Sequence, residues 1–308
     1  MKAIRIHSYG NSSVLKYEDA WMPKIAPDDV MIKVHSAGVN PADWKLREGR
    51  LGIHKLPCIP GWDVAGTVEH CGVLVSCFKP GDPVFSLTDF GRDGSYAEYI
   101  VVRVDEVAHA PKGVPLEQAA GAPMVSLTAW KALFEIAHLE ADQSVLIHGA
   151  SGGVGNMAVQ FAKIADAYVI GTTSALNVNL VKGLGADKVI DYRTEDFSKK
   201  VEEADVVFDT IGGETQTKSF GVLRPGGVLV SIVTPPNEAL ARQRSVEGRF
   251  CSVTTNGGRL QEVGGFMETG KLKVVIDKEF PLSEAKAAQE YSQTGRARGK
   301  IILRVAER

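Results

Sequence analysis

Residues 144–165 constrain the fold most, because they place a glycine-rich turn between a short apolar strand and a helix. Gly149, Gly152, Gly153 and Gly155 fall where the chain must turn sharply and let backbone N–H groups approach an anion. Those groups point at a diphosphate on the positive end of the helix dipole. Ala150-x-Gly152-x-x-Gly155 is the dinucleotide fingerprint with its first glycine replaced by alanine. The next strand, residues 168–173, arrives at the expected distance. Thr172, Thr173 and Ser174 stand where an NAD-binding chain usually carries an acidic residue for the ribose hydroxyls. Hydroxyls tolerate a 2′-phosphate that a carboxylate would repel, so NADPH is the expected cofactor. A glycine turn that only packs a helix on a sheet is the alternative.

Around this turn the texture changes. Residues 2–7, 30–39, 66–69, 83–87 and 95–104 carry β-branched or alternating apolar runs bounded by Gly, Pro or Asp, which predicts a small, partly open barrel. A helix is expected over 115–135. From residue 144 strands (145–148, 168–172, 188–191, 205–209, 228–233 and a sixth at 249–253) alternate with helical stretches such as 156–165 and 175–184. Repeated βα units of this kind predict a doubly wound parallel sheet, with ligands outside the carboxyl ends of the strands, where Thr173, Ile211 and Val233 should cluster. Residues 259–269 read as helix, 273–280 as strand, 281–291 as a helix capped by Ser283, and 300–305 as a closing strand. This tail matches the first third in character. The expectation is a discontinuous catalytic domain, 1–122 with 257–308, and an inserted NADP-binding domain, 123–256.

The 308 residues suffice for two well-filled cores, and 44% hydrophobic with 23% charged residues is ordinary for a soluble globular protein. A formal net charge of −2 with mixed signs gives no electrostatic case for nucleic acid or a membrane surface. Cys58, Cys71, Cys77 and Cys251 lack the paired short spacing of a structural zinc site and suit a reducing compartment. With no signal-peptide pattern and no long apolar run, the cytoplasm is the expected location.

The motifs, taken in order, resemble the zinc-independent quinone oxidoreductase and enone reductase branch of the medium-chain dehydrogenase/reductase superfamily. The segments that carry the resemblance are 37–43, 60–66, 81–85, 94–99, 126–130, the glycine turn, 182–187, 223–227 and 299–303, so it runs over essentially the whole chain. It implies a Rossmann domain inserted in a GroES-like β-rich domain, and a homodimer joined along the edges of the nucleotide-domain sheets. Zinc-dependent alcohol dehydrogenases of the same superfamily place a cysteine ligand where this chain has Val39 or Asn40, and Gly-His-Glu where it has Gly61, Trp62 and Asp63. Without thiolate or imidazole a zinc site would be poor, and no metal is expected. His70, Cys71 and Cys77 read better as structural residues than as a metal cluster.

By the same resemblance, Asn40 lies where the family places a side-chain amide near nicotinamide and substrate, although Asn40-Pro41 is also good turn chemistry. Asp43 is expected to hold Asn40 or Lys45, or to cap a short helix at 44–47. Asp63 stands as a structural replacement for a zinc-site residue. Thr128 matches a threonine whose hydroxyl faces the nicotinamide end, or else bonds its own helix backbone. Ser151, Gly152, Gly153 and Val154 are expected on the diphosphate, and Thr173, Ser174 and Tyr192 on the 2′-phosphate or adenine. Ile211, Ile232, Val233 and Phe250 flank the ring, with Phe250 equally readable as core. Where the family often has a lysine after Ser174, this chain has Ala175, Leu176 and Asn177; Arg193, Arg296 or Lys300 could supply the missing charge. Trp44, Trp62 and Phe90 are candidates to line a substrate pocket.

Without a Lewis acid, isolated alcohol oxidation is disfavoured. Conjugate reduction is easier, because charge spreads onto an enolate or hydroquinone oxygen that a few fixed donors can stabilise. The expected activity is therefore NADPH-dependent reduction of quinones or α,β-unsaturated carbonyls. The rivals are an enoyl-thioester reductase on the same fold and a non-enzymatic NADPH-binding sensor or structural protein.

Overall fold

The computed structural model describes residues 1–52 and 55–305. The chain divides into two compact units, Met1–Met124 with Thr255–Arg308, and Val125–Thr254. In chain order the first segment contains β1 (Lys2–Ile6), β2 (Leu15–Asp19), β3 (Asp29–Val39), α1 (Pro41–Arg47), β4 (Asp63–Cys71), β5 (Pro83–Leu87), β6 (Tyr99–Arg103), β7 (Val107–His109) and α2 (Leu116–Gly121). Next come α3 (Pro123–Trp130), β8 (Ser144–Ile147), α4 (Gly153–Ile164), β9 (Tyr168–Thr173), α5 (Val178–Gly183) and β10 (Lys188–Asp191). After these run β11 (Ala204–Asp209), α6 (Gly213–Ser219), β12 (Leu223–Ser231), α7 (Glu238–Gln243) and β13 (Glu247–Phe250). The chain closes with α8 (Gly257–Glu268), β14 (Ile276–Pro281), α9 (Ala285–Gln293) and β15 (Lys300–Arg304).

The first unit is built on a seven-stranded sheet ordered β14-β15-β3-β4-β5-β7, with β6 also on β3. Strand β3 organises it. Its first half pairs antiparallel with β6 and its second half with β15, while β4 runs along its other edge. Two register shifts, of the kind bulges produce, interrupt the β3–β4 pair between Met31 and Ile32 and between Val34 and Ser36. Val30, Ile32, Val34, Val64, Val68, Val84, Ile100, Val102 and Val107 fill its interior, so the β-branched run that predicts the strands is also the core. The pairing sets Ile301 against Val39 and Gly38 against Asp63. Residues far apart in sequence are thereby fixed side by side at the end of β3.

The second unit carries a six-stranded, all-parallel sheet ordered β10-β9-β8-β11-β12-β13. Numbered within the unit this is 3-2-1-4-5-6, the doubly wound order, whose direction reverses between β8 and β11. Leu146, Ile170, Ile190, Val207 and Leu229 lie in its core together with Phe197 and Phe220. This is the α/β architecture expected from the βα alternation.

Local differences have local causes. The single helix expected over 115–135 is two helices and a π-helical turn at Lys131–Ile136. Pro123 lacks an N–H and starts α3 after the break at Ala122. The stretch 175–184 opens with a 3-10 turn at Ala175–Asn177 before α5. Strand β7, of three residues, and helices α6 and α7 are short enough to escape a periodicity reading.

The turn after β8 depends on glycine. Gly149 has φ +64°, and a Cβ at Gly155 would sit 2.2 Å from the Gly149 carbonyl oxygen. Gly155→Ala is therefore expected to lower stability by about 1–3 kcal/mol, read as a lower thermal midpoint. Gly183→Ala, whose new Cβ meets nothing within 4 Å, should leave the midpoint unchanged or raise it. Equal behaviour of the two variants would contradict this account of the turn.

Candidate active site

Asn40 ends β3 and caps α1 in an extended conformation, with Pro41 at the first helical position. Its backbone N–H donates to Asp43 Oδ2 at 2.7 Å, the acidic half of a capping box. Its side chain is held at both ends. Asn40 Nδ2 donates to Asp63 Oδ2 at 2.9 Å, and Lys300 Nζ donates to Asn40 Oδ1 at 2.5 Å. Lys300 also donates to Asp63 Oδ2 at 2.9 Å and to the Val39 carbonyl at 3.3 Å. The other oxygen of Asp63 accepts from the Met124 N–H at 2.7 Å.

The ion pair is buried, with side-chain exposure of 2% for Lys300 and 0% for Asp63. Removing one partner of such a pair costs about 3–5 kcal/mol, because it strands the other charge. Turning the Asn40 amide over would place N–H against ammonium and carbonyl against carboxylate. That forfeits two hydrogen bonds to charged groups, about 1.5–3 kcal/mol each.

A second polar cluster adjoins the first. Tyr96 donates its hydroxyl to Asp43 Oδ2 at 2.7 Å, while Asp43 Oδ1 is buried with no partner. Burial pushes the Asp43 carboxyl up from 3.8 to about 7; the Asn40 N–H, the Tyr96 hydroxyl and Lys300 oppose this, and Asp63 adds to it. Burial and the neighbouring Asp43 raise the Tyr96 phenol well above its ordinary value. Arg47, also buried, donates to Gln289 at 2.9 Å, to Gln293 at 3.0 Å and to the Gly10 carbonyl at 3.2 Å, tying α1 to α9. The ring of Trp62, 1% exposed, lies 4.9 Å from that of Phe90. Trp44 carries Lys45 and Arg50 near its ring face instead.

In the second unit the residues around the β8–β11 switch point form a cradle. Gly152 caps α4, a twelve-residue helix with no acidic residue in its first turn. Ser151 accepts from Thr173 Oγ1 at 2.8 Å and from Asn177 Nδ2 at 3.2 Å, and Ser174 accepts from Asn177 at 3.4 Å. Gly153 and Val154 open α4 and are half-buried. Tyr192 is exposed, with the Arg193 guanidinium 5.9 Å from its ring centre. Ile211, Val233 and Phe250 are large apolar side chains left exposed, and Ile232 is half-buried beside them in sequence. A Cβ on Gly149 would meet Ile211 at 3.2 Å, and one on Gly212 would meet Val233 at 3.0 Å, so Ile211 and Val233 lie against the glycine turns after β8 and β11.

Asp209, which sequence reasoning missed, fixes that convergence. Its carboxylate accepts from the N–H groups of Ile211 (2.9 Å) and Gly212 (2.8 Å), from Gln216 (3.0 Å) and from Ser231 (2.8 Å). The turn glycines, hydroxyl cluster and exposed apolar wall fit a dinucleotide. Thr173, 2% exposed, turns its hydroxyl to Ser151, and the half-buried Ser174 follows it with no acidic side chain at either position.

Thr128 is buried in α3. The three hydrogens of the Lys300 ammonium are committed within the first unit to Asp63, Asn40 and Val39, which leaves none for a cofactor phosphate. The expectation that it compensates the missing lysine after Ser174 is corrected accordingly. A sequence cannot display the β3–β15 register that puts it there. The described residues contain no cluster of three or more His, Cys, Asp or Glu able to hold a metal. At Asn40 the side chains are an amide, the Asp63 and Asp43 carboxyls and an ammonium, with no thiolate or imidazole and with Asp63 already paired to the ammonium, a poor set for zinc.

Comparison with known proteins shows the family. Residues 26–112 match the family described as alcohol dehydrogenase GroES-like domain, and residues 184–303 match that described as zinc-binding dehydrogenase. The chain is 38% identical to the 2-methylene-furan-3-one reductase of Solanum lycopersicum, over 98% of this chain and 79% of that one. It is 37% identical to the chloroplastic NADPH-dependent alkenal/one oxidoreductase of Arabidopsis thaliana, over 98% and 79%. The quinone oxidoreductase structure from Coxiella burnetii superposes with a TM-score of 0.93 at 33% identity, covering 99% of both chains. The chain belongs to the zinc-independent quinone oxidoreductase and enone reductase branch of the medium-chain dehydrogenase/reductase superfamily.

Asp43 yields a testable pH dependence. Its folded pKa of about 7 lies above the ordinary 3.8, so the folded state favours the protonated acid and stability falls as pH rises from about 4 to about 7. The loss is at most about 4 kcal/mol. Unfolding of wild type and Asp43→Asn, followed by urea at a series of pH values, should show wild type losing stability relative to the variant across this window. Parallel curves would contradict the assignment.

Proposed function

We propose that this protein is an NADPH-dependent oxidoreductase that reduces quinones or α,β-unsaturated carbonyls without zinc. The observation that carries the reading is the Asn40 amide clamped between Lys300 and Asp63, at the chain positions where zinc dehydrogenases keep metal ligands. Such a site offers hydrogen-bond donation in place of a Lewis acid. That suits an acceptor whose developing charge is delocalised.

When bound, NADPH supplies the hydride. Ser151, Gly152, Gly153 and Val154 hold its diphosphate; Thr173, Ser174 and Tyr192 hold the adenine ribose phosphate and adenine. Ile211, Ile232, Val233 and Phe250 form the apolar wall for the nicotinamide, and the Thr128 hydroxyl faces that end. Asn40 donates to the acceptor oxygen as charge builds there. Asp43 holds the Asn40 backbone, and solvent provides the final proton. A homodimer joined along the edge strand β13 belongs to the same proposal, supported by its mostly exposed, one-sided pairing. None of the helices among the described residues is long and apolar enough to cross a membrane. The cytoplasm is proposed as the location on composition alone, the Arabidopsis relative being chloroplastic.

The test is loss of nicotinamide absorbance with NADPH, then NADH, against short enones and quinones. Turnover with NADPH on either class is expected; cofactor binding without turnover on any acceptor would overturn the reading. Ser174→Asp should raise the KM for NADPH by about tenfold or more, through charge repulsion and lost phosphate contacts, while changing that for NADH far less. Equal losses for the two cofactors would refute the placement of the 2′-phosphate.

A further inference from the structure

The hydrogen atoms around Asn40 can be counted, and the count is restrictive. An ammonium has three N–H donors. Those of Lys300 go to Val39 O, Asn40 Oδ1 and Asp63 Oδ2. The Asn40 backbone N–H and the Tyr96 hydroxyl both go to Asp43 Oδ2, and the Met124 N–H goes to Asp63 Oδ1. One of the two Nδ2 hydrogens of Asn40 goes to Asp63 Oδ2. Setting aside the proton that Asp43 carries below about pH 7, one donor of this cluster is left, the second Nδ2 hydrogen.

We propose that Lys300 and Asp63 are positioning residues that lock the Asn40 amide in one orientation, so that this single N–H is presented to the acceptor oxygen. The proposal rests on the reductase reading for what the N–H meets, though not for the lock itself. Lys300 specifies the oxygen end of the amide and Asp63 the nitrogen end. Both charges favour the same orientation, so turning the amide over about χ2 loses two charge-assisted hydrogen bonds rather than one. Lys300 is no proton donor in this arrangement, since all three of its hydrogens are engaged within the cluster. The lock also explains why these charges are buried. An ion pair of this kind adds little net stability over apolar residues of similar volume, and fixing the orientation of the amide is the role this geometry gives it. Asp43, the other carboxyl facing the cluster, meets the backbone of Asn40 and leaves the amide orientation to the pair.

The test uses a charge-neutral replacement, Asp63→Asn with Lys300→Met, which leaves no stranded charge and so is chosen to fold. Asn40→Ala and the combination of all three complete a double-mutant cycle. Acceptor reduction is followed with NADPH and with its 4-deuterated form. The neutral pair is expected to lower kcat about tenfold or more, with an enlarged deuterium isotope effect and a KM for NADPH within about twofold of wild type. In the Asn40→Ala background the same pair should change kcat by less than about twofold, because nothing is left to orient. Independent, multiplying losses would overturn the proposal.

A second readout needs no turnover. The Asn40 side-chain NH2 resonances, identified by their loss in Asn40→Ala, should exchange slowly with solvent in wild type and at least about tenfold faster in the neutral pair, as expected when a buried hydrogen-bonded group is freed. Unchanged exchange would also overturn it. If no acceptor is reduced by wild type, the reductase reading fails while this exchange measurement still decides the lock.

Discussion

One buried ion pair ties this structure together. Lys300 and Asp63 meet at the point where the end of β3, the start of β4, the start of β15 and the start of α3 converge. The carboxylate accepts from a backbone N–H, a side-chain amide and the ammonium, and the ammonium reaches a backbone carbonyl as well. Neither charge is tolerable alone. Each requires the strand register that delivers the other: the β3–β15 pairing brings Lys300 to Asn40, and a slip in that pairing would strand both charges.

The two units divide the chemistry. For the dinucleotide we propose it holds, the second unit offers glycine backbone at the start of α4, hydroxyls at the end of β9, and exposed apolar side chains on a loop that Asp209 holds by four hydrogen bonds. The first unit supplies a rigid donor in a setting poor in zinc ligands. Such a donor is weak beside a Lewis acid. Its chemistry therefore belongs with acceptors that share out the incoming charge, which is why conjugated carbonyls and quinones fit better than isolated ketones.

Much of this was legible from residues alone. The glycine turn, its flanking strand and the βα alternation led directly to the doubly wound sheet, and the β-branched runs led to the barrel. Hydroxyls at Thr173 and Ser174 are informative because a carboxylate there would have meant the opposite cofactor preference. Lys300 was placed with the wrong partner, since a sequence shows a basic residue near its end but not the antiparallel register that turns it toward Val39. Tyr96, Arg47 and Gln289 were missed for the same reason: their meaning lies in contacts across long sequence separations, and no local period encodes them. Asp209 carried a signal that could have been used, an Asp at a strand end followed by Ile211 and two glycines, the usual setting for a carboxylate that bonds the next backbone N–H groups.

The central claim is that a salt bridge, and no metal, organises the site that polarises the acceptor. Its most direct test is the rate of NADPH-dependent reduction of a conjugated ketone by protein stripped with a strong chelator, with the zinc content measured by mass spectrometry on the same sample. The account predicts an unchanged rate at far less than one zinc per chain, and no gain when zinc is added back. A rate that collapses on chelation and returns with one equivalent of zinc would contradict it.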